Sequence, residues 1–260
     1  FISNYIRMKV NIILSKTHEA SITDTNILMF LFKKIKHKIE VNVVEVKSYK
    51  CDNASINIFI GNLNPILYTF AKTNILLADS DLIQKSYMYM LRGIDYVFTK
   101  TSFMANYLTN LLSKEQIIDI GWRSTDLRMS STEKNFNKYL LFCHNASDHH
   151  IYKRIIQVWT ERLCDNNVQL HVVNFNMANM NIAEVTAKNI VVESNISQET
   201  FESLFNECGV HICLPEHESF SHYLNQSMLC RSLVIIPDID VYKELVLSLI
   251  HISEPTRLGA

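Results

Sequence analysis

Glu216, Glu218, Ser219, Ser221 and Gln226 fall within one short stretch of this chain, together with Phe220, His222 and Tyr223. A carboxylate at such a turn can accept two hydrogen bonds from sugar hydroxyls and stabilise positive charge developing at an anomeric carbon. The same carboxylate also suits a solvated helix start, where the helix dipole favours negative charge. Glu218, which opens the turn, is the leading candidate; Glu216 binds, or only solvates and orients the turn. The serine hydroxyls can donate to phosphate. The Gln226 amide can accept one hydrogen bond and donate another, or sit on an exposed helix face. Phe220 reads as a packing anchor, while His222 and Tyr223 either meet a ligand or simply start the helix.

A second group lies earlier in the chain. Lys153 and Arg154 follow the run F-C-H-N-A-S-D-H-H, residues 142–150, near an expected helix start. Two adjacent cations there suit phosphate, or a solvated helix face. His144, His149 and His150 raise the question of a metal. Adjacent histidines lack the i, i+4 spacing that puts two ligands on one helix face, and no compact cysteine or carboxylate set accompanies them, so no metal is expected. Thr17, His18 and Glu19 follow the first apolar run and could position an acceptor hydroxyl, with loop solvation as the alternative. Lys100, after residues 96–99, carries the same two readings. No G-x-G-x-x-G follows either opening strand, which argues against a dinucleotide oxidoreductase, and neither a P-loop nor a G-x-S-x-G elbow occurs.

The elements that must hold these residues alternate between apolar runs and helix-period segments, the pattern of βαβ units on a parallel sheet. Strands are expected at residues 9–14, 41–46, 56–60, 74–77, 96–99 and 117–120, with helices at 23–36, 65–72, 81–91 and 102–112. Asp24 and Ser102 are the expected helix caps. The polar stretch 123–137 reads as a linker. A second set follows: strands at 139–143, 169–173, 190–192, 210–214 and 233–236, and helices at 152–163, 198–208 and 222–230. The fold class is therefore α/β, with two Rossmann-like domains at 8–122 and 138–246. Folds of this kind bind ligands at the carboxyl ends of their strands, which singles out the turn after residue 214.

Composition narrows the class further. Of the 260 residues 48% are hydrophobic, enough for substantial cores, and 25 basic against 26 acidic residues leave a formal charge of −1. No broad electrostatic footprint for nucleic acid or an anionic membrane follows, although local basic clusters are compatible with it. The six cysteines form no C-x-x-C pair and lie mostly in apolar runs, as in a reduced cytoplasmic protein. No apolar run reaches transmembrane length, and no signal-peptide architecture is present. Met8 opens M-K-V-N-I-I-L like a cytoplasmic start, so residues 1–7 read as upstream translation. Residues 247–257, L-S-L-I-H-I-S-E-P-T-R, resemble the translation of a common tagmentation adapter, and the tail 247–260 is set aside as foreign to the fold. The second domain is accordingly expected to be incomplete at its C-terminus.

The run E-S-F-S-H-Y-L-N-Q, residues 218–226, resembles the E-G-F-G-H-Y-I-N-E form of the E-x7-E signature of GT-B glycosyltransferases. Residues 198–211 before it, and 56–77 and 95–101 in the first half, are similar to the same branch in the right order. The resemblance implies a GT-B fold and retaining transfer of a sugar from a nucleotide-sugar donor to a hydroxyl acceptor, with no cofactor and no bound metal. It gives Glu218 the donor sugar and puts Gln226 where a glutamate usually holds the ribose. Lys153 and Arg154 take the place of the residues that neutralise the diphosphate, though the usual G-K-S-x-x-K spacing is absent, and His144 is expected beside the phosphate. Ser219 and Ser221 stand where glycines let backbone amides approach the diphosphate. These substitutions also fit a glycosyltransferase-like module that binds without turnover.

Overall fold

The computed structural model describes residues 8–35, 39–79, 87–143, 149–163, 167–174, 187–194, 196–215 and 218–253, with the side chains of Asn174 and residues 247–253 outside the description. The chain divides into two compact units, one holding Phe1–Thr125 and His251–Ala260 and the other Asp126–Ile250, which includes most of the last helix.

In the first unit the apolar runs become β1 (Met8–Leu14), β2 (Ile39–Glu45), β3 (Ala54–Ile60), β4 (Ala71–Leu77), β5 (Tyr96–Thr99) and β6 (Ile117–Asp119). All pair in parallel in the order β2-β1-β3-β4-β5-β6. Burial deepens toward the carboxyl ends of β1, β3 and β4. Phe59, Leu67, Leu76, Met104 and Leu108 lie at the centre of the core.

Four asparagines share one register across this sheet: Asn42 on β2, Asn11 on β1, Asn57 on β3 and Asn74 on β4. Each amide donates to the next carbonyl oxygen, Asn42 to Asn11 at 3.3 Å, Asn11 to Asn57 at 2.9 Å and Asn57 to Asn74 at 3.0 Å. The run ends on Tyr68 O. Polar groups buried in a sheet centre are tolerated because partners satisfy them in series.

The helices of this unit depart from expectation for identifiable reasons. Helix α1 (Glu19–Lys34) starts ahead of Asp24, which is fully buried inside it and caps nothing. The carboxylate of Asp24 instead accepts from Lys100 Nζ at 2.5 Å and from Trp122 Nε1 at 2.7 Å. Residues 65–72 divide between a short 3₁₀ helix, Pro65–Phe70, and β4, whose ladder with β3 already begins at Ala71. Helix α2 (Ser102–Leu108) is capped by Thr101, which accepts from Met104 N, whereas Ser102 Oγ donates to Asp119. It ends early because Thr109 and Asn110 turn their side chains back onto the carbonyls of Asn106 and Tyr107. Of the helix expected at 81–91, residues 81–86 lie outside the described residues, and Met90–Gly93 forms a 3₁₀ turn.

The second unit contains β7 (Asn135–Cys143), α3 (His149–Arg162), β8 (Gln169–Asn174), β9 (Ile190–Ser194), α4 (Gln198–Glu207), β10 (Cys208–Ile212), α5 (His222–Leu229), β11 (Leu233–Ile235) and α6 (Asp240–Ser253). Its parallel order is β11-β10-β7-β8-β9. Tyr152, Ile156 and Trp159, spaced along one face of α3, pack on Leu141, Leu170 and Ile212. Ser197 caps α4 by accepting from Thr200 N at 3.1 Å. The stretch read as a linker is largely fastened to this unit. Asn206 bonds Leu127 O and Met129 N, Lys134 Nζ reaches Cys208 O and Ser232 Oγ, and β7 begins at Asn135. Gly209 is needed where β10 crosses the start of β7, because a Cβ there would stand 2.7 Å from Phe136 Cα. Helix α6, which the sequence reading does not foresee, keeps helical backbone through Ser253.

Candidate donor site at a switch point

In the second unit the chain runs from β7 outward to β8 and β9, then crosses back to lay β10 and β11 on the other side of β7. Such a reversal opens a crevice between the carboxyl ends of the two strands where it occurs, here β7 and β10. The segment leaving β7 leads into α3. The segment leaving β10 is the turn that carries Glu218.

That turn folds on itself. Glu218 Oε1 accepts from the backbone N–H groups of Ser219 at 3.1 Å and Phe220 at 3.2 Å. Ser221 caps α5, its hydroxyl accepting from Leu224 N at 3.2 Å, while its carbonyl accepts from the Asn225 amide at 2.7 Å. Ser219 and Ser221 are both buried, and neither has positive φ, so this turn does not require glycine at either position. Phe220 is buried with its ring edge-on to His222 at 5.2 Å, which makes it the anchor the sequence suggests.

Helix α5 sorts its residues by side. Tyr223, Leu224 and Ser227 are buried. Tyr223 packs into the core: its hydroxyl donates to Leu140 O at 3.1 Å and its ring packs on Phe142 and Phe205. Burial, followed by the neighbouring Cys213, raises its pKa well above the usual tyrosine value. His222 and Gln226 stand one turn apart on the partly exposed side, the spacing at which helix side chains meet. The helix closes with Arg231 at φ 61°, where Ser232 N bonds Ser227 O and Arg231 N bonds Met228 O. This pair of bonds is a left-handed helix cap, usually made by glycine.

Beneath the turn His211 is buried, its Nε2 donating to Phe205 O at 3.1 Å and its Nδ1 lying 2.9 Å from Ser227 Oγ, whose hydroxyl also bonds Tyr223 O at 2.7 Å. Loss of hydration, then the positive charge of Lys134, lowers its pKa to about 3, against opposition from the Phe205 and Cys208 backbone. Burial pushes the thiols of Cys143 and Cys208 up to about 12 and that of Cys213 higher still, so none is a nucleophile near neutral pH.

Lys153 and Arg154 are exposed near the start of α3, and Arg154 donates to Gln157 at 3.0 Å. Glu216 and His144 lie outside the described residues. Thr17, His18 and Glu19 follow β1 in the first unit, where they are exposed at the β1/β3 reversal of that sheet. His18 Nδ1 meets Ser21 Oγ at 2.9 Å. Lys100 is not a loop cation but half of the buried pair with Asp24.

The sequence reading misses one participant, Tyr242. This buried residue lines a void of about 10 Å³ under the Glu218 turn, bordered by Phe142, Cys213 and Ser221. It also lines a cleft of about 360 Å³ formed by Ile236, Pro237, Asp238, Lys243 and Val246. The apolar spacing of Val241, Tyr242 and Leu245 after Asp240 is the signal that could have revealed α6.

No family model matches the sequence, and no curated protein matches it significantly. Solved structures do match. The UDP-GlcNAc 2-epimerase from Methanocaldococcus jannaschii superposes with TM-score 0.60 at 10% identity, over 93% of this chain and 87% of its own. The lipopolysaccharide outer core galactosyltransferase WaaB gives 0.57 at 11%, over 88% and 80%. The pneumococcal O-GlcNAc transferase GtfA, solved with UDP and GlcNAc, gives 0.54 at 14%, over 72% and 43%. The chain has the α/β fold of GT-B glycosyltransferases, which the epimerase shares.

Proposed function

We propose that this chain binds a nucleotide-sugar at the β7/β10 crevice and transfers its sugar, with retention, to a hydroxyl acceptor without a bound metal. The observation carrying the reading is the meeting, at one sheet reversal, of the Glu218 turn, the His222–Gln226 side of α5 and the start of α3. Glu218 would orient sugar hydroxyls, Gln226 the ribose, and Lys153 and Arg154 the charge that gathers on the diphosphate as the anomeric bond breaks. Bond formation to the acceptor oxygen occurs on the face the diphosphate leaves, and the acceptor proton passes to that diphosphate. Thr17, His18 and Glu19 would meet the acceptor. Among the described residues no helix is long and apolar enough to cross a membrane.

A second reading, binding without turnover, draws on Gln226 in place of a carboxylate. Calorimetric titration of the chain with a panel of nucleotide-sugars and nucleoside diphosphates, followed by hydrolysis and transfer assays with the best binder, separates the two. Gln226→Glu should tighten binding several-fold, about 1 kcal/mol, by making a charge-assisted hydrogen bond. Glu218→Gln should keep an acceptor for the two turn amides yet lose sugar-dependent affinity. Absence of binding in both the parent and Gln226→Glu defeats the transferase reading, and binding without turnover favours the second.

A further inference from the structure

Helix α1 is built inside out. Its buried residues are Ser21, Asp24 and Thr25, whereas Phe30 is 59% exposed, Leu31 44% and Ile35, at its C-cap, 45%. The reason for the polar interior lies in the Asp24–Lys100–Trp122 bonds, which draw the first half of the helix inward by its charge. They do not account for the apolar end. Leu31 and Ile35 are four residues apart, as are Phe30 and Lys34, whose ammonium lies 5.2 Å over the Phe30 ring. Lys33 adds a second cation in the same last turn. From Thr25 to Ile39 the sequence contains four lysines and no carboxylate.

We propose that Phe30, Leu31, Lys33, Lys34 and Ile35 dock this protein on an anionic lipid bilayer. Aliphatic and aromatic side chains flanked by lysines suit the boundary between acyl chains and negative headgroups, where apolar burial and charge attraction act together. The aliphatic residues would gain little from a nucleic-acid phosphate backbone. A second copy of the chain would bring the same lysines face to face across a two-fold axis. The lipid surface is the partner that matches both the apolar and the charged component. Since α1 runs back from the carboxyl end of β1, its last turn lies toward the amino ends of the sheet, away from the β1/β3 reversal.

The test is sedimentation of the full chain with phosphatidylglycerol vesicles and with phosphatidylcholine vesicles, at low and at physiological salt. Binding to the anionic vesicles alone, weakened by salt, is expected. Lys33→Glu/Lys34→Glu and, separately, Phe30→Ser/Leu31→Ser should each reduce partitioning at least about ten-fold. The thermal transition of each variant should match the parent, because all four residues face water. The charge pair serves as the deciding variant should the apolar one unfold. No sedimentation of the parent, or equal sedimentation of the charge variant, overturns the proposal. So does retention by homopolymeric RNA in place of vesicles, or a dimer in solution that the variants convert to monomer. None of these outcomes depends on nucleotide-sugar binding.

Discussion

His211 shows how one buried side chain ties the candidate site to pH. It is neutral in the folded protein, with a pKa of about 3, while an unfolded chain titrates near the ordinary histidine value. The unfolded state therefore takes up a proton first as pH falls. The stability contributed by the neutral ring is complete above about pH 6.5 and is lost progressively down to about pH 3, with a limiting slope near ten-fold in the folding equilibrium per pH unit. Denaturant melts across this range should show a shallower loss for His211→Gln than for the parent. Equal slopes would remove His211 as the source. His171 is also lowered, chiefly by burial, so a smaller slope should persist in the variant. The sequence offers His211 only as one polar residue in an apolar strand; its two partners, Phe205 and Ser227, come from neighbouring helices.

Among the elements, the asparagine run of the first sheet deserves the sharpest test. Asn57 sits in the middle, donating to Asn74 and to Leu67 O while accepting from Asn11. Asn57→Leu would leave the buried Asn11 amide and Asn74 carbonyl without these partners, an expected loss of roughly 2–4 kcal/mol in chemical unfolding. A triple variant that also replaces Asn11 and Asn74 by leucine should recover part of that loss, since neither the Asn11 amide nor the Asn74 carbonyl is then stranded, and only the partly buried Asn42 loses a partner in the row. Additive losses would mean that the asparagines act separately. The strands themselves are visible as apolar runs, but the run of amides is not, because only pairing places residues 11, 42, 57 and 74 side by side.

For the whole molecule, the Asp24–Lys100 pair and the two tryptophans allow the units to be followed separately. Trp122 belongs to the first unit and Trp159 to the second. Trp159 Nε1 has no hydrogen-bond partner, so Trp159→Phe strands no acceptor and leaves Trp122 as the sole reporter. In that background Lys100→Met removes the cation from a fully buried carboxylate, which typically costs about 3–5 kcal/mol. The Trp122 transition should move to lower denaturant, ahead of the far-ultraviolet circular dichroism signal, which averages both units. Coincident transitions would mean that the two cores unfold as one.

By itself the sequence determined that the chain is a parallel α/β protein and that the residues from Glu218 to Gln226 form a turn and a helix. Apolar runs of strand length and the spacing of polar residues are local properties, carried by the chain whatever it later packs against. Helix ends were less legible. Asp24 has the chemistry of a cap, yet α1 starts before it, and the decisive partners are 76 and 98 residues away. The tertiary structure alone decided that β10 returns beside β7, which creates the crevice at the Glu218 turn, and that Tyr223 points inward while His222 and Gln226 do not. It also decided that α1 turns Asp24 to the core and Phe30 to water. Strand order and helix rotation are fixed by contacts between residues far apart in sequence, where satisfying one buried charge can outweigh the local preference for burying apolar side chains.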